Sequence, residues 1–413
     1  MSEKLLSLKR REGVNPAHAG EIVVVRTDLA MAQDSTGPLA IRVLNEFGIT
    51  KVWDPSRVLL VIDHTYPAAD EKVAALHAMM RTFAFQHGCV LVEGSISHQH
   101  ILEEYATPGM LILGADSHTC QAGCVSAFAT GIGSTEMAAV WATGEMWLRI
   151  PESVRINLTG SLRKGVYARD IIAHFIGTVG EDGGNYRSLE WHGPAVKELS
   201  IASRACISNN SMECGSKASL WEPDALTHAY SESVGRAPMH EVHAGKRAYY
   251  ADAYELPLNT LEPVVATPGN VDNVKSAREV EGTEIDQAFV GSSTNGRLED
   301  LEVAAKILKG RKVARNTRCI VTPASRRVYE AAIRSGLASI FLEAGAVFTN
   351  ATCGACVGTH LGVLGPEEVC ISSSPRNYVG RMGATSAEIY LASPATVAAS
   401  AVAGYIQDPR AYL

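Results

Sequence analysis

Over the first 120 residues, short and almost wholly apolar runs alternate with longer stretches of helical spacing. This alternation does most to restrict how the chain can fold. The runs are "EIVVVRTDLA", "RVLLVID", "CVLVEG" and "GMLILGAD", and "AADEKVAALHAMMRTFAFQHG" lies among them with apolar residues on a period near that of a helix. Strands without a polar side belong in sheets covered on both faces, so the pattern predicts α/β architecture. The polar residues follow directly at the strand ends, as in "VIDH" and "LGADSH", where open α/β sheets place their ligands.

Three α/β segments are expected, because 413 residues at 46% apolar exceed what one core usually organises. One boundary is placed near "RIPESVRINLTGSLRKG", where Pro151 is read as ending a helix before a new strand. The next falls in the Pro- and Asn-rich "ELPLNTLEPVVATPGNVDN", and the last third restarts at "DQAFVGSSTNGR" ahead of the helical "LEDLEVAAKILKG". The expected domains are 1–151, 152–262 and 263–413. With 37 basic against 44 acidic residues and no long basic run, nucleic acid is not expected as a partner. Neither is a membrane, since no apolar stretch approaches the ~18 residues that crossing requires. The charged N-terminal stretch lacks a signal-type apolar region, so a cytoplasmic location is expected. Nine scattered cysteines point to reduced thiols rather than a disulfide framework.

Asp63-His64, His98 and Asp116-Ser117-His118 follow these strands. A carboxylate beside an imidazole is how proteins prepare a proton donor. The glycines before Ser134 and Thr135 are read as leading into a helix capped by one of those hydroxyls. Arg376 and Arg381, in the hydroxyl-rich "SSSPRNYVGRMG", suit bidentate capture of carboxylates. Cys353 and Cys356 form a two-residue-spaced pair in "TNATCGACVG", which alone cannot close a metal site; structural thiols are the plain alternative. A thiol oxidoreductase is disfavoured because the pair lacks a strand–motif–helix neighbourhood.

Taken together, "DLAMAQDSTGPLAI", "PGMLILGADSHTC", "FATGIGSTEMAAVWATG", "FVGSSTNGRLEDLEVAAKILKG", "CGACVG" and "RNYVGRMG" resemble the aconitase family, in its isopropylmalate isomerase and homoaconitase large-subunit branch of archaeal type. The resemblance spans essentially the whole chain. It implies three α/β/α domains around a central cleft, without the mobile fourth domain. It also implies a hydro-lyase that dehydrates and rehydrates a hydroxylated di- or tricarboxylic acid such as a 2-alkylmalate, isopropylmalate or homocitrate. Asp63, His64, His98, Asp116, Ser117, His118 and Glu190 match catalytic positions; Gln33, Asp34, Arg376 and Arg381 match substrate contacts. The family's proton-abstracting serine has no match here, so a small subunit is expected to supply it.

The resemblance further implies a [4Fe–4S] cluster on three cysteines. Cys353 and Cys356 match two of them, and Ser293 stands where the third is expected. Other departures are Ala351-Thr352 in place of Pro-Gly and Pro375 in place of an Asn. A serine oxygen is harder than a thiolate and far harder to deprotonate, so it should hold iron less well. The open outcomes are a cluster with Ser293 as ligand, a cluster completed by another thiol such as Cys124, a single metal ion, or no metal. Retention of the acid/base set argues for a catalyst of the same class. The alternatives are a cluster-free or altered-metal hydratase, or a non-catalytic subunit.

Overall fold

The computed structural model describes residues 1–13 and 16–413, and the chain forms two compact units. Unit 1 comprises Met1–Glu93, Ser97–Leu158 and Gly184–Leu256; unit 2 comprises Gly94–Ile96, Thr159–Gly183 and Pro257–Leu413. Among the described residues no helix is long and apolar enough to cross a membrane.

Unit 1 is built on a five-stranded sheet of β1 (Leu29–Gln33), β2 (Val58–Ile62), β3 (Val90–Glu93), β4 (Leu111–Gly114) and β5 (Phe128–Gly131). Their order is β3-β2-β1-β4-β5, with every pairing parallel. β1, β2 and β4 are buried at every residue, as their unbroken apolar runs require. The run "EIVVVRTDLA" proves to be two strands. Ile22–Arg26 alternates exposed and buried residues and pairs antiparallel with Glu145–Arg149, and β1 begins after the turn at Thr27 and Asp28.

Helix α1 (Glu71–His87) starts where the Asp70 carboxylate accepts the Val73 amide at 2.8 Å, and ends at Gly88 in the left-handed region. Helix α2 (Ser97–Glu104) follows β3. Helix α3 (Ser134–Thr143) is preceded by Gly133, whose N–H is accepted by the Glu136 carboxylate, so neither Ser134 nor Thr135 is its cap. This helix also ends earlier than Pro151. Gly144, at φ 73°, stops it, and a Cβ there would meet the Trp53 indole at 2.5 Å; the residues before Pro151 are therefore strand, not helix. Phe83 of α1 stacks on fully buried Trp141 of α3 at 5.5 Å, tying two covering helices into one core.

A second sheet contains β6 (Ser153–Thr159), β7 (Ser188–His192), β8 (Ala218–Trp221) and β9 (Asp252–Pro257), in the order β8-β7-β6-β9. Helix α4 (Ile201–Asn210) and a 3₁₀ turn, Ser211–Cys214, precede β8.

Unit 2 carries a seven-stranded sheet of β10 (Val264–Ala266), β11 (Val274–Ser276), β12 (Gln287–Val290), β13 (Arg318–Val321), β14 (Val347–Phe348), β15 (Val369–Ser372) and β16 (Glu388–Ala392). The order is β11-β10-β16-β15-β12-β13-β14; the five strands from β16 to β14 are parallel, while β10 and β11 run antiparallel at one edge. Helices α5 (Leu298–Leu308) and α6 (Pro394–Ala403) contribute to its core. The chain is thus α/β, as the alternation of periods predicts.

Candidate active site

In unit 1 the carboxyl ends of β1, β2 and β4 bring together side chains that are far apart in sequence. Asp34, just past β1, accepts the backbone N–H groups of His64 and Thr65 at 3.0 Å each, and lies 3.3 Å from His77 Nε2. Burial opposes its ionisation, but His77, the nearby His64 charge and the two amides prevail and hold the carboxyl down at about 2. Asp63, fully buried at the end of β2, accepts the Ser97 amide at 2.7 Å and pairs with His64 Nδ1 at 2.7 Å. The other nitrogen of His64 lies 3.7 Å from Asp116 Oδ2.

Asp116, after β4, is the hub. Its Oδ1 meets His98 Nε2 at 3.0 Å and the His118 amide at 2.9 Å, with His118 Nδ1 at 3.5 Å. Gln33 Nε2 donates to Oδ2 at 3.5 Å. Burial works against the Asp116 charge, yet the two histidines hold its carboxyl well below the usual range. His118 Nε2 meets a second carboxylate, Glu213 Oε1, at 2.7 Å.

Glu213 was not among the sequence-derived residues. It lies on the Ser211–Cys214 turn, and its backbone neighbourhood carried a readable signal: Ser208, Asn209, Asn210 and Ser211 are all fully buried, a polar run that a helix end does not otherwise need. Glu190, by contrast, does not join this group. From the middle of β7 it receives the Met1 amino group, the Ser153 hydroxyl at 2.7 Å and the Tyr250 hydroxyl at 3.2 Å, with His192 Nε2 3.6 Å away. Burial opposes its charge, but His192 and the amino group bring the carboxyl down to about 2. Glu190 is therefore the centre of a separate buried cluster, in which all of these partners compensate its charge.

In unit 2 the matched residues again follow strands. β12 runs into the short helical turn Ser292–Asn295 through Gly291, at φ 147°, where a Cβ would meet the Thr322 hydroxyl at 2.1 Å. Buried Arg297 locks this turn, donating to the Ser293 carbonyl at 2.7 Å and the Thr294 carbonyl at 2.6 Å. The Thr294 hydroxyl reaches the Ser373 carbonyl at 2.5 Å. Cys353 caps the start of the 3₁₀ turn Gly354–Val357 and Cys356 lies within it; they are 5% and 3% exposed. Arg381 Nη2 donates to Cys356 Sγ at 3.9 Å. The loop bearing Arg376 and Arg381 is anchored by Asn377, whose amide donates to the Thr267 carbonyl at 2.6 Å, and by Arg169, which donates to the Ser374 carbonyl at 3.1 Å.

Cys353, Cys356 and the hydroxyl of Ser293 are the donors that the family pattern assigns to a cluster. All three positions are buried, and the Arg381 guanidinium donates to Cys356 Sγ. As donors, two thiols and one hydroxyl are a harder and weaker set for iron than three thiolates. Within unit 1, His98, Asp116 and His118 offer ligand atoms within 4.8 Å of one another, though the same atoms also make the hydrogen bonds described above.

Residues 3–280 and 272–404 match the aconitase family (aconitate hydratase). The chain belongs to that family. It is 45% identical to 3-isopropylmalate dehydratase large subunit 1 of Methanopyrus kandleri and 48% identical to large subunit 2 of Archaeoglobus fulgidus. Each alignment covers 100% of this chain and 99% of the relative. The crystal structure of Thermococcus kodakaraensis aconitase X in its holo-form superposes with TM-score 0.52 at 12% identity, covering 88% of this chain and 87% of that one, a likeness of fold. By family and relatives the chain is a carbon–oxygen hydro-lyase, as its sequence motifs imply.

Proposed function

We propose that this chain is the large subunit of a two-subunit dehydratase/isomerase acting on a 2-alkylmalate, of the kind for which its relatives are named. The observation that carries this reading is the His118 ring, held between Glu213 at 2.7 Å on one nitrogen and Asp116 at 3.5 Å on the other. A ring with a carboxylate on each nitrogen can carry a proton on either and release it to a departing hydroxyl. His98 and Gln33 fix Asp116 in turn, and Asp63 orients His64 as a second donor. Arg376 and Arg381 bind the substrate carboxylates, since planar guanidinium forks match them bidentately. Gln33, Asp34 and Ser117 contribute further polar contacts. Glu213, rather than Glu190, is the glutamate that supports His118.

An iron–sulfur cluster on Cys353, Cys356 and Ser293 would supply a Lewis acid for the hydroxyl. The proton on the adjacent carbon needs a base, and a small subunit supplying one accords with the words "large subunit" in the relatives' names. The test is to assay the anaerobically purified chain against 2-alkylmalates, homocitrate and citrate, with and without candidate small subunits. Turnover of a 2-alkylmalate is expected only in the pair; robust turnover by the lone chain, or none in any pairing, would contradict the proposal.

A further inference from the structure

A cavity of about 430 Å³ lies in unit 1, lined in part by Ser117 and Met212, the residues immediately before His118 and Glu213. Much of its wall is apolar, including Ile132, Met146 and Leu148. It reaches the surface at Trp147, whose side chain is 57% exposed. Lys217 and Glu136 are the charged residues of the lining. Glu136 is already engaged by the Gly133 amide at the start of α3. Lys217 makes no ion pair among the described residues, and Glu136 acts on it only at longer range: its ammonium donates to the Gly131 carbonyl at 3.0 Å and lies 5.6 Å from the Tyr186 ring centroid. Burial lowers its pKa, so the charge sits there at a cost that an anion would offset.

Tyr186, also in the lining, has φ 54°, a conformation in which a bulky residue is a genuine outlier, and such strain is concentrated at ligand sites. Arg149 lies 4.4 Å from the centroid of the same ring, so two cations contact this aromatic. A largely apolar hollow with one cation that Glu136 offsets only in part is the usual make-up of a small-molecule site, in which the polar group fixes orientation.

We propose that this cavity binds a small organic monocarboxylate, its carboxylate on Lys217 Nζ and its compact apolar body against Ile132, Met146 and Leu148. Because Ser117 and Met212 form part of the wall, an occupant presses on both turns that carry the His118–Glu213 pair. The cavity is then an effector site, a role that rests on the catalytic reading above; the binding itself does not.

Isothermal titration of the purified chain with 4-methylpentanoate, cyclohexanecarboxylate and benzoate, each beside its uncharged amide, tests the binding. One-to-one saturation by at least one acid is expected, with its amide weaker by roughly tenfold or more. Lys217→Met should erase that preference, Ile132→Trp should block binding with circular dichroism unchanged, and His118→Ala should leave binding intact. No saturation by any acid, equal binding of acid and amide, or unaltered binding by Lys217→Met would overturn the site. In the assembled two-subunit enzyme the bound acid should change kcat in the wild type and not in Lys217→Met. Binding without any change in kcat would overturn the effector role, and because the calorimetry needs no turnover it decides the site even if the proposed reaction is wrong.

Discussion

The acid/base side chains of unit 1 hold one another, whereas the thiol, serine and arginine turns of unit 2 are held mainly by their scaffold. Asp63, His64, Asp116, His98, His118 and Glu213 form a chain of contacts in which each member has a neighbour from the same set. In unit 2 the corresponding support comes from Arg297, Asn377 and Arg169 on backbone carbonyls; the Arg381–Cys356 contact at 3.9 Å links two of the matched side chains. Both constructions use strand ends, but they should fail differently. A network loses function cooperatively, while a turn pinned by a single side chain loses local order with that side chain.

The sharpest test of the contrast is non-additivity in unit 1. His118→Ala should lower kcat of the two-subunit enzyme by about 10³-fold and Glu213→Gln by about 10²-fold, with the double variant no worse than His118→Ala alone. Urea unfolding should show the folded state retained. Additive losses would mean that the two residues act separately, and a Glu190→Gln loss confined to stability would support the structural role given to that residue.

In unit 2 the largest effect should be on stability. Arg297→Met leaves the Ser293 and Thr294 carbonyls without their donor, at a cost of about 2–4 kcal/mol in chemical denaturation. If the loss falls within a few tenths of a kcal/mol, Arg297 does not lock the turn.

The acidic limb of stability should separate the two units. Asp34 is held down at about 2, below its ordinary 3.8, so it contributes stability that is present above pH ~4 and lost as the pH falls toward 2. The shift corresponds to about 2 kcal/mol. Asp170 of unit 2 runs the other way: burial raises it to about 7 against the pull of the Val264 and Tyr167 amides. Its ionisation therefore destabilises the fold as the pH rises from about 4 through 7. Asp34→Asn should flatten the curve below pH 4, and Asp170→Asn should flatten it between 4 and 7; unchanged curves in either variant would refute the corresponding assignment.

The smallest expected effect is on cofactor retention. Ser293→Cys should hold iron and acid-labile sulfide several-fold longer in air than the wild type, because a third thiolate replaces a hard oxygen. Equal loss in both proteins would show that Ser293 is not a ligand position.

Much of the architecture was legible because it rests on local rules. Unbroken apolar runs became β2, β4 and β12, and Asp70 and Gly88 bounded α1 where capping chemistry requires. The misread segment at Pro151 shows the limit of such rules. "GEMWLRIP" has no helical fault of its own; the Trp53 indole packed against Gly144, and the pairing with Ile22–Arg26, turned it into a strand.

The sequence by itself determined which residue types stand at the strand ends, and with them the family. The tertiary structure decided which of those residues meet. Glu190 and Glu213 are both buried carboxylates, and no local pattern says which partner either one meets. Residue 213 reaches His118 across 95 positions because α4 and its following turn pack on the Ser117–Val125 segment, while β7 points residue 190 toward Ser153 and Tyr250. Periodicity and capping act over a few residues, but a buried charge is satisfied by whatever the fold brings within about 3 Å, and that partner lies outside any local pattern.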